Sequence, residues 1–246
     1  MGRIRAMRPE DARAVATLHH AAMGRSLWAR LGMPFLCRLY QGLTRDPRFL
    51  AFVYEEDGRV RGFIAGTTDS ARLFGDTLKR EATSLVGPVL LGLLRNPPVL
   101  LPLLATTAYF GRSSPDPSVE AVSAESFFCS FEPDLRGRRV SGHINKVLFD
   151  ELLARGHEYV KVTTEVDNPG SNRQLTSWGF ENRGQFRHYG KDMLVYVLHL
   201  PSCPRVEAVR RHPAPLAGSP PDDGRGMVPS GREEGHLPPR GARPAG

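Results

Sequence analysis

Two β-prone apolar runs in the first third of the chain predict a hairpin. They cover residues 49–55 and 60–67, and the connection 56–59 contains Gly58, which provides the positive φ that a tight turn requires. Elsewhere in the first third of the chain, apolar residues form one more short β-prone run and otherwise recur at helical spacing. They predict a strand at 4–7, a helix that opens at 9–11, and a second helix over 27–43.

In the second half of the chain, stretches with the apolar pattern of strands alternate with stretches with the apolar pattern of helices. The predicted elements are a strand at 126–131, a helix over 140–155, a strand at 159–166, a short helix over 171–178, and a hairpin of strands 180–189 and 193–200. This order predicts an α/β (α+β) fold, in which a mixed, twisted sheet of about six or seven strands carries helices on both faces.

Between these halves lies an apolar insert over residues 70–118. Its runs 85–94 and 99–110 are separated by 95–98, which holds an arginine and two prolines. Each run is shorter than the roughly 20 residues that span a bilayer. We expect two helices packed over the core or at a contact between two copies, and a peripheral membrane contact through 85–110 or a lipid-like substrate groove stays open as an alternative.

Length and composition predict one domain over residues 1–200 followed by a tail. Of 246 residues, 40% are apolar, which is enough for one good core. Residues 201–246 carry ten of the 21 prolines and few large apolar side chains, so we expect them to be disordered.

Charge and cysteine content exclude several classes of function. The net charge of +7 comes from scattered arginines without a recognition helix or an aromatic platform, so no nucleic acid partner is expected. Three cysteines without CxxC spacing indicate neither a disulfide framework nor a metal site. With no apolar export signal at the beginning of the sequence, a cytoplasmic protein is the expectation.

The candidate chemistry begins in the loop 131–143, which joins a predicted strand to a predicted helix. Gly137 and Gly142 let a ligand approach the backbone, and the N–H groups at the helix start favour anions. Arg136, Arg138 and Arg139 add charge-assisted donors. This combination is typical of a diphosphate-binding loop.

The loop resembles that of the GNAT superfamily of acyl-CoA-dependent N-acetyltransferases, which has the form Arg/Gln-x-x-Gly-x-Gly/Ala. Arg136 matches the first position, whereas Arg139 and Ser141 stand where the family has small residues. A second element, residues 168–180, is similar to the family's Asn-x-x-Ala-x-x-x-Tyr-x-x-x-Gly-Phe. The residues that match it are Asn168, Ser171, Gly179 and Phe180.

This resemblance implies a V-shaped cleft between the parallel strands 126–131 and 159–166, with acetyl-CoA or another acyl-CoA as co-substrate and no metal. Pantetheine would pair with the first strand like an extra strand, and a backbone N–H there would polarise the thioester carbonyl. The residues implied to bind acyl-CoA are Cys129, Ser130, Phe131, Arg136, Gly137, Arg138, Arg139, Val140, Ser141, Gly142, Asn168 and Ser171.

The acid that protonates the departing thiolate is not evident. Leu175 stands where many family members carry a tyrosine for this step, and leucine cannot transfer a proton. Tyr189 is our first candidate for a substitute, followed by Tyr196, Tyr109 or water.

Two carboxylates at strand ends are candidates for the base that accepts the proton of the amine. Glu125 begins one cleft strand and Glu165 ends the other, and both are expected to face the opening. Cys129 lies where the thioester should bind, but direct transfer makes an acyl-enzyme unnecessary, so a small buried strand residue is expected there.

The function that these patterns favour is transfer of an acetyl or similar acyl group to a primary amine of a small molecule, with an amino sugar as the preferred acceptor. A GNAT-like module that binds acyl-CoA without turnover is one alternative, because of Leu175, Arg139 and Ser141. A protein lysine or N-terminal acetyltransferase is another. A homodimer is compatible with the apolar insert.

Overall fold

In the part of the chain that the structure describes, seven strands form one mixed sheet in the order β1-β2-β3-β4-β5-β7-β6. The structure is a computed structural model, and it describes residues 2–24, 26–100, 103, 117–188 and 190–206. The strands are β1 (Arg3–Ala6), β2 (Phe49–Glu56), β3 (Arg59–Thr67), β4 (Glu125–Phe131), β5 (Tyr159–Glu165), β6 (Glu181–His188) and β7 (Lys191–His199). The described residues thus confirm the predicted mixed sheet.

Helices cover both faces of this sheet, as predicted. In the described residues they are α1 (Ala12–Met23), α2 (Leu27–Arg30), α3 (Met33–Leu43), α4 (Leu73–Arg80), α5 (Ala82–Arg95), α6 (Pro117–Glu120), α7 (Val140–Ala154) and α8 (Pro169–Trp178). Phe63 and Ala65 of β3 pack into a first core with α1, α3 and α5. The intervening Ile64 packs into a second core with α7 and α8. Since neighbouring strand residues point to opposite faces, the two groups of helices lie on opposite sides.

One strand pair distinguishes this sheet from a continuous one. All neighbours pair antiparallel except β4 and β5, which run parallel. Their register holds only Glu125 against Lys161 and Ser126 against Val162. Beyond Ser126 the two strands diverge, which confirms the predicted V-shaped opening.

The prediction of one continuous helix over 27–43 is wrong, because the structure has two helices there. Helix α2 ends at Arg30, and α3 begins at Met33 after Gly32, whose φ is 92°. Side chains rarely adopt this left-handed conformation, whereas glycine does so at no steric cost. The apolar pattern continues across the break because both helices pack on the first core.

The described part of the apolar insert is dominated by α5, which docks closely on the turn between α2 and α3. Leu85 is buried, and Val89 and Leu93 pack partly against the first core. A β-carbon placed on Gly92 would lie 2.5 Å from the Leu31 carbonyl oxygen. Only glycine therefore permits this approach. The predicted second run, 99–110, lies outside the described residues except for 99, 100 and 103.

Two helical glycines are expected to respond oppositely to alanine. Gly92→Ala forces α5 off the backbone of Leu31 and should lower the free energy of unfolding by about 1–3 kcal/mol. Gly75 of α4 has open space around the site of its β-carbon, so Gly75→Ala should raise it by roughly 0.5–1 kcal/mol. Urea unfolding of both variants measures the difference, and equal effects would contradict the close docking of α5.

The described chain remains packed beyond the predicted boundary at residue 200. Cys203 is 5% exposed, with its Sγ 3.6 Å from the carbonyl oxygen of Trp178, and the Arg205 guanidinium lies 5.2 Å from the centre of the Trp178 ring. Residues up to 206 thus cover α8. The rest of the predicted tail, 207–246, lies outside the described residues.

The first core contains a histidine with a strongly displaced pKa. His19 is fully buried, its Nδ1 lies 2.7 Å from the Tyr40 hydroxyl, and its Nε2 lies 3.3 Å from Ser26 Oγ. Burial, with a smaller contribution from the charge of His20, lowers the pKa of His19 to about 4. The imidazole is therefore neutral in the folded protein at neutral pH.

Acidification should cost stability through His19. The His19 imidazole takes up a proton near pH 6.5 in the unfolded chain but only near pH 4 in the folded protein. The free energy of unfolding therefore has its full value above pH 6.5 and decreases as the pH falls to about 4. The expected loss is about 3 kcal/mol. Urea unfolding at several pH values measures it. His19→Gln removes this titration, so a variant whose pH dependence equals that of the natural chain would contradict the assignment.

Candidate functional site

The candidate site is the opening between β4 and β5. Among the described strands, β4 has no partner on its β5-facing edge after Ser126, whereas β5 remains paired with β7 up to Glu165. An unpaired strand edge presents N–H and C=O groups to any extended ligand. Cys129, Ser130 and Phe131, predicted to contact pantetheine, all lie along this free edge.

A bulge in β4 determines which way these residues point. The register against β3 shifts between Ala65 and Gly66, so that Phe127 has no opposite residue. Consequently Phe127 and Phe128 both pack against the first core. A bulge of this kind re-aims the following side chains, and Cys129 is turned towards α7.

Cys129 is unsuited to act as a nucleophile. It reaches solvent at the opening instead of being the buried residue we expected, and its Sγ lies 4.0 Å from Asn145 Nδ2. Desolvation by the surrounding protein raises the pKa of Cys129, against a smaller lowering by Asn145. The thiol therefore stays protonated at neutral pH, which supports direct transfer over an acyl-enzyme.

The loop after β4 ends in the N-terminus of α7, where main-chain donors are free. Among the described residues, the N–H groups of Arg139, Val140, Ser141 and Gly142 make no hydrogen bond to a main-chain oxygen. Arg139 holds a left-handed conformation with φ 58°, and Gly137 has φ 80°. Four adjacent donors at the positive end of a helix dipole form a site for anions.

The three loop arginines are not equivalent. The Arg138 guanidinium contacts the Glu56 carboxylate at the end of β2 and lies 3.4 Å from the Tyr54 hydroxyl. Arg138 thus fastens the loop to the sheet and is not a free cation for a ligand. Arg136 and Arg139 are exposed and form no ion pair with a described residue. These two remain the candidates to approach a diphosphate.

Two residues that the sequence did not single out bind Ser141, one from α8 and one from α7 itself. Gln174 of α8 donates a hydrogen bond of 2.7 Å to Ser141 Oγ, and Asn145 donates one of 2.8 Å to the Ser141 carbonyl. Ser141, which replaces a small residue of the family pattern, therefore joins α7 to α8. The only signal in the sequence was the three-residue spacing of Gln174 from Ser171, which places both on one helical face.

The second family-like element is folded as a capped helix. Asn168 is the N-cap of α8, and its Oδ1 accepts a hydrogen bond of 3.1 Å from the Ser171 N–H. The neighbouring Asn172 donates to the carbonyls of Glu165 and Val166, and its Oδ1 is buried without a hydrogen-bond partner among the described atoms. Asn168 thus has a structural role, while Asn172 offers an unused acceptor.

Leu175 is 7% exposed and packs in the second core. Its side chain points into the protein, where a phenol would have no water. Of the candidate replacements, Tyr196 is 6% exposed in the same core. Tyr189 and Tyr109 lie outside the described residues. The described part of the structure therefore places no tyrosine hydroxyl in the opening.

Glu125 lies at the apex of the V, one residue before the last pair that joins β4 to β5. Its partner across the parallel pair is Lys161, which is 2% exposed. Desolvation raises the pKa of Glu125, while the charge of Lys161 and a hydrogen bond with Ser70 oppose the rise. A carboxylate with a raised pKa at a cleft is a candidate general base.

Glu165, the other candidate base, is engaged elsewhere. Its carboxylate forms an ion pair with Lys191 at the start of β7, and its side chain is 38% exposed. Glu125 and Glu165 lie at opposite ends of the two strands, so the structure does not bring them together. No cluster of three or more potential metal ligands is found among the described residues.

The fold matches solved acetyltransferase structures. The N-acetyltransferase from Staphylococcus aureus Mu50 aligns with a TM-score of 0.52 at 15% identity, over 81% of this chain and 98% of that one. The ribosomal-protein-alanine N-acetyltransferase from Brucella melitensis aligns with a TM-score of 0.51 at 18% identity, over 80% of this chain and 99% of that one. The protein yncA from Salmonella typhimurium, assigned as an acetyltransferase and solved with its cofactor acetyl-CoA, aligns with a TM-score of 0.51 at 18% identity. The alignment covers 88% of this chain and 98% of that one.

No protein-family model matches the chain, and neither does any curated protein. At these identities the structural matches establish the fold, which is that of the GNAT acetyltransferases. The resemblance seen in the sequence is thereby confirmed at the level of architecture. Activity must be argued from the site.

Proposed function

We propose that this protein transfers an acetyl or similar acyl group from acyl-CoA to a primary amine of a small-molecule acceptor. The observation that carries the proposal is the opening between β4 and β5, with four free N–H groups of α7 at its end. These features offer an edge for an extended chain and a site for its anionic end. They fit the extended form and the charge pattern of a pantetheine joined to a diphosphate.

The residues that would hold the co-substrate follow from this geometry. The N–H groups at 139–142, with Arg136 and Arg139, would bind the diphosphate, and the free edge at 129–131 would pair with the pantetheine. The thioester supplies the acyl group and a good leaving group. The chain's own contribution is orientation of the acceptor beside the thioester carbonyl and polarisation of that carbonyl by a β4 N–H.

Glu125 is the proposed base. As the amine nitrogen bonds to the acyl carbon and the carbon–sulfur bond breaks, the amine proton passes through water to the Glu125 carboxylate, because Glu125 lies about 13 Å along β4 from Cys129. The raised pKa of Glu125 makes it a better proton acceptor than an exposed glutamate. Water would protonate the departing thiolate, because Leu175 is buried and aprotic.

An assay with purified protein tests this function. The protein is incubated with acetyl-CoA and separate amino sugars, polyamines, amino acids and lysine peptides, while released thiol is measured. Thiol release that depends on one small amine supports the proposal. Failure to bind any acyl-CoA in calorimetry would overturn both the enzyme and its binding-module alternative.

The principal alternative is a module that binds acyl-CoA without turnover. It is favoured by Leu175 and by the left-handed Arg139 in place of a small residue. Tight binding of acetyl-CoA without thiol release for any amine would support it. The same panel tests the protein acetyltransferase alternative, towards which the Brucella match points, because only peptides would then release thiol. A cytoplasmic location suits the three free cysteines and is part of the proposal.

A further inference from the structure

Helix α5 is apolar around its whole circumference, although only one side is covered by protein. Its inner side carries Leu85 and Gly92, which are buried. On the side turned away from the first core, the exposed fractions of the side chains are 55% for Val86, 56% for Leu90, 36% for Leu91 and 81% for Leu94. A helix that is hydrophobic all round normally has apolar surroundings on all sides.

The exposed side chains form a continuous stripe. Val86, Leu90 and Leu94 are spaced by four residues and therefore lie above one another along the helix. After the 3-10 turn Pro97–Val99, Leu100 is 46% exposed as well. Outside this stretch, Val166 is the only large apolar side chain of the described residues that is comparably exposed. The apolar surface is thus concentrated at α5.

The unpaired exposed charges next to the stripe are positive. Residues 82–100 contain no aspartate or glutamate, and their single charged residue is Arg95 at the end of α5. Arg95 is exposed, and so is Lys79, which precedes the helix at its other end. The nearest acids, Asp76 and the N-cap Glu81, form ion pairs with arginines of the described chain. In the sequence the stripe therefore lies between two exposed cations.

This pattern fits an anionic lipid surface better than a second copy of the chain. An apolar helix face binds in the interfacial plane when its leucines enter the acyl region while flanking cations meet the headgroups. In a twofold dimer through the same stripe, Arg95 and Lys79 would find no unpaired acid, because residues 82–100 contain none and the adjacent Asp76 and Glu81 are already paired with arginines. The charge complementarity therefore selects the bilayer.

We propose that α5 docks this protein on the surface of an anionic lipid bilayer, with Val86, Leu90 and Leu94 in the outer acyl region and Arg95 and Lys79 at the headgroups. The helix would lie along the membrane and not cross it. Among the described residues no helix has the length and apolar character to span a bilayer. The inference is independent of the acyltransferase proposal.

Flotation with large unilamellar vesicles tests the docking. The full chain should float with vesicles of phosphatidylcholine and phosphatidylglycerol, and much less with phosphatidylcholine alone. Leu90→Gln combined with Leu94→Gln should weaken binding at least about tenfold, because two exposed anchors are lost. Arg95→Gln should weaken binding to anionic vesicles only, and added salt should weaken it for the natural chain.

Val166→Gln is the matched control, since it removes an exposed apolar side chain far from α5 in the sequence and should leave flotation unchanged. Circular dichroism and urea unfolding verify that each variant is folded. Three results would overturn the proposal: no flotation of the natural chain, equal flotation of the double leucine variant, or a concentration-dependent dimer in light scattering that the double variant dissociates while vesicles bind neither protein.

Discussion

Glu125→Gln is expected to lower the maximal rate of thiol release by about 10²–10⁴-fold, the range typical for loss of a general base. The amide keeps the shape of the side chain but cannot accept the amine proton. Acetyl-CoA affinity should stay the same, because Glu125 lies at the apex of the V and the proposed diphosphate site lies beyond the other end of β4. Steady-state kinetics and calorimetry measure the two quantities separately.

The pH profile of the same variant provides a second test. Activity requires the deprotonated carboxylate, so kcat/KM of the natural enzyme should fall as the pH drops through a pKa above the ordinary range of glutamate, because burial raises the pKa of Glu125. The residual activity of Glu125→Gln should lack this acidic limb. Glu165→Gln is the matched control, because its carboxylate is paired with Lys191 and should not affect the limb. An unchanged rate in Glu125→Gln would remove this residue from the mechanism.

The fold was predictable because most of its elements are local. The β2–β3 hairpin needs only two apolar runs and Gly58, and the predicted strand bounds agree with the structure to within about two residues. The break at Gly32 escaped prediction because apolar residues on both sides keep a helical pattern, and glycine within a helix is tolerated often enough to hide a left-handed turn.

The candidate site was only partly predictable. The free N–H groups at 139–142 follow from the strand-to-helix pattern, which is local. The pairing of Arg138 with Glu56 joins residues 82 positions apart, and no local rule specifies it. For the same reason the sequence could not separate Arg138 from Arg136 and Arg139.

The roles of the remaining candidate residues depend on burial, which the sequence alone does not specify. In the sequence, Glu125 and Glu165 are equivalent strand-end carboxylates, but the register places one beside the buried Lys161 and the other against the exposed end of β7. Leu175 could be read only as a missing proton donor. Its position in the second core shows that α8 uses this residue for packing, while the adjacent Gln174 contacts Ser141 across the opening.

Gly142→Leu is expected to weaken acetyl-CoA binding at least about tenfold without harming the fold. Side chains on a helix tilt towards its N-terminus, so leucine at this third helical position would cover the free N–H groups that precede it. Loss of one charge-assisted hydrogen bond costs about 1.5–3 kcal/mol, which corresponds to tenfold or more in affinity. The free protein has open space at this position, and leucine has the higher helix propensity, so the melting temperature should not fall.

Calorimetric titration with acetyl-CoA measures this effect, and Gly75→Leu is the control. Gly75 is likewise the third residue of its helix, with open space around the site of its β-carbon, but it lies on α4 and not at the proposed diphosphate site. Its substitution should leave acetyl-CoA affinity unchanged. If Gly142→Leu is folded and binds acetyl-CoA as tightly as the natural chain, the N-terminus of α7 is not the anchor. The diphosphate would then have to be held by the side chains of Arg136 and Arg139, and substituting both would abolish binding.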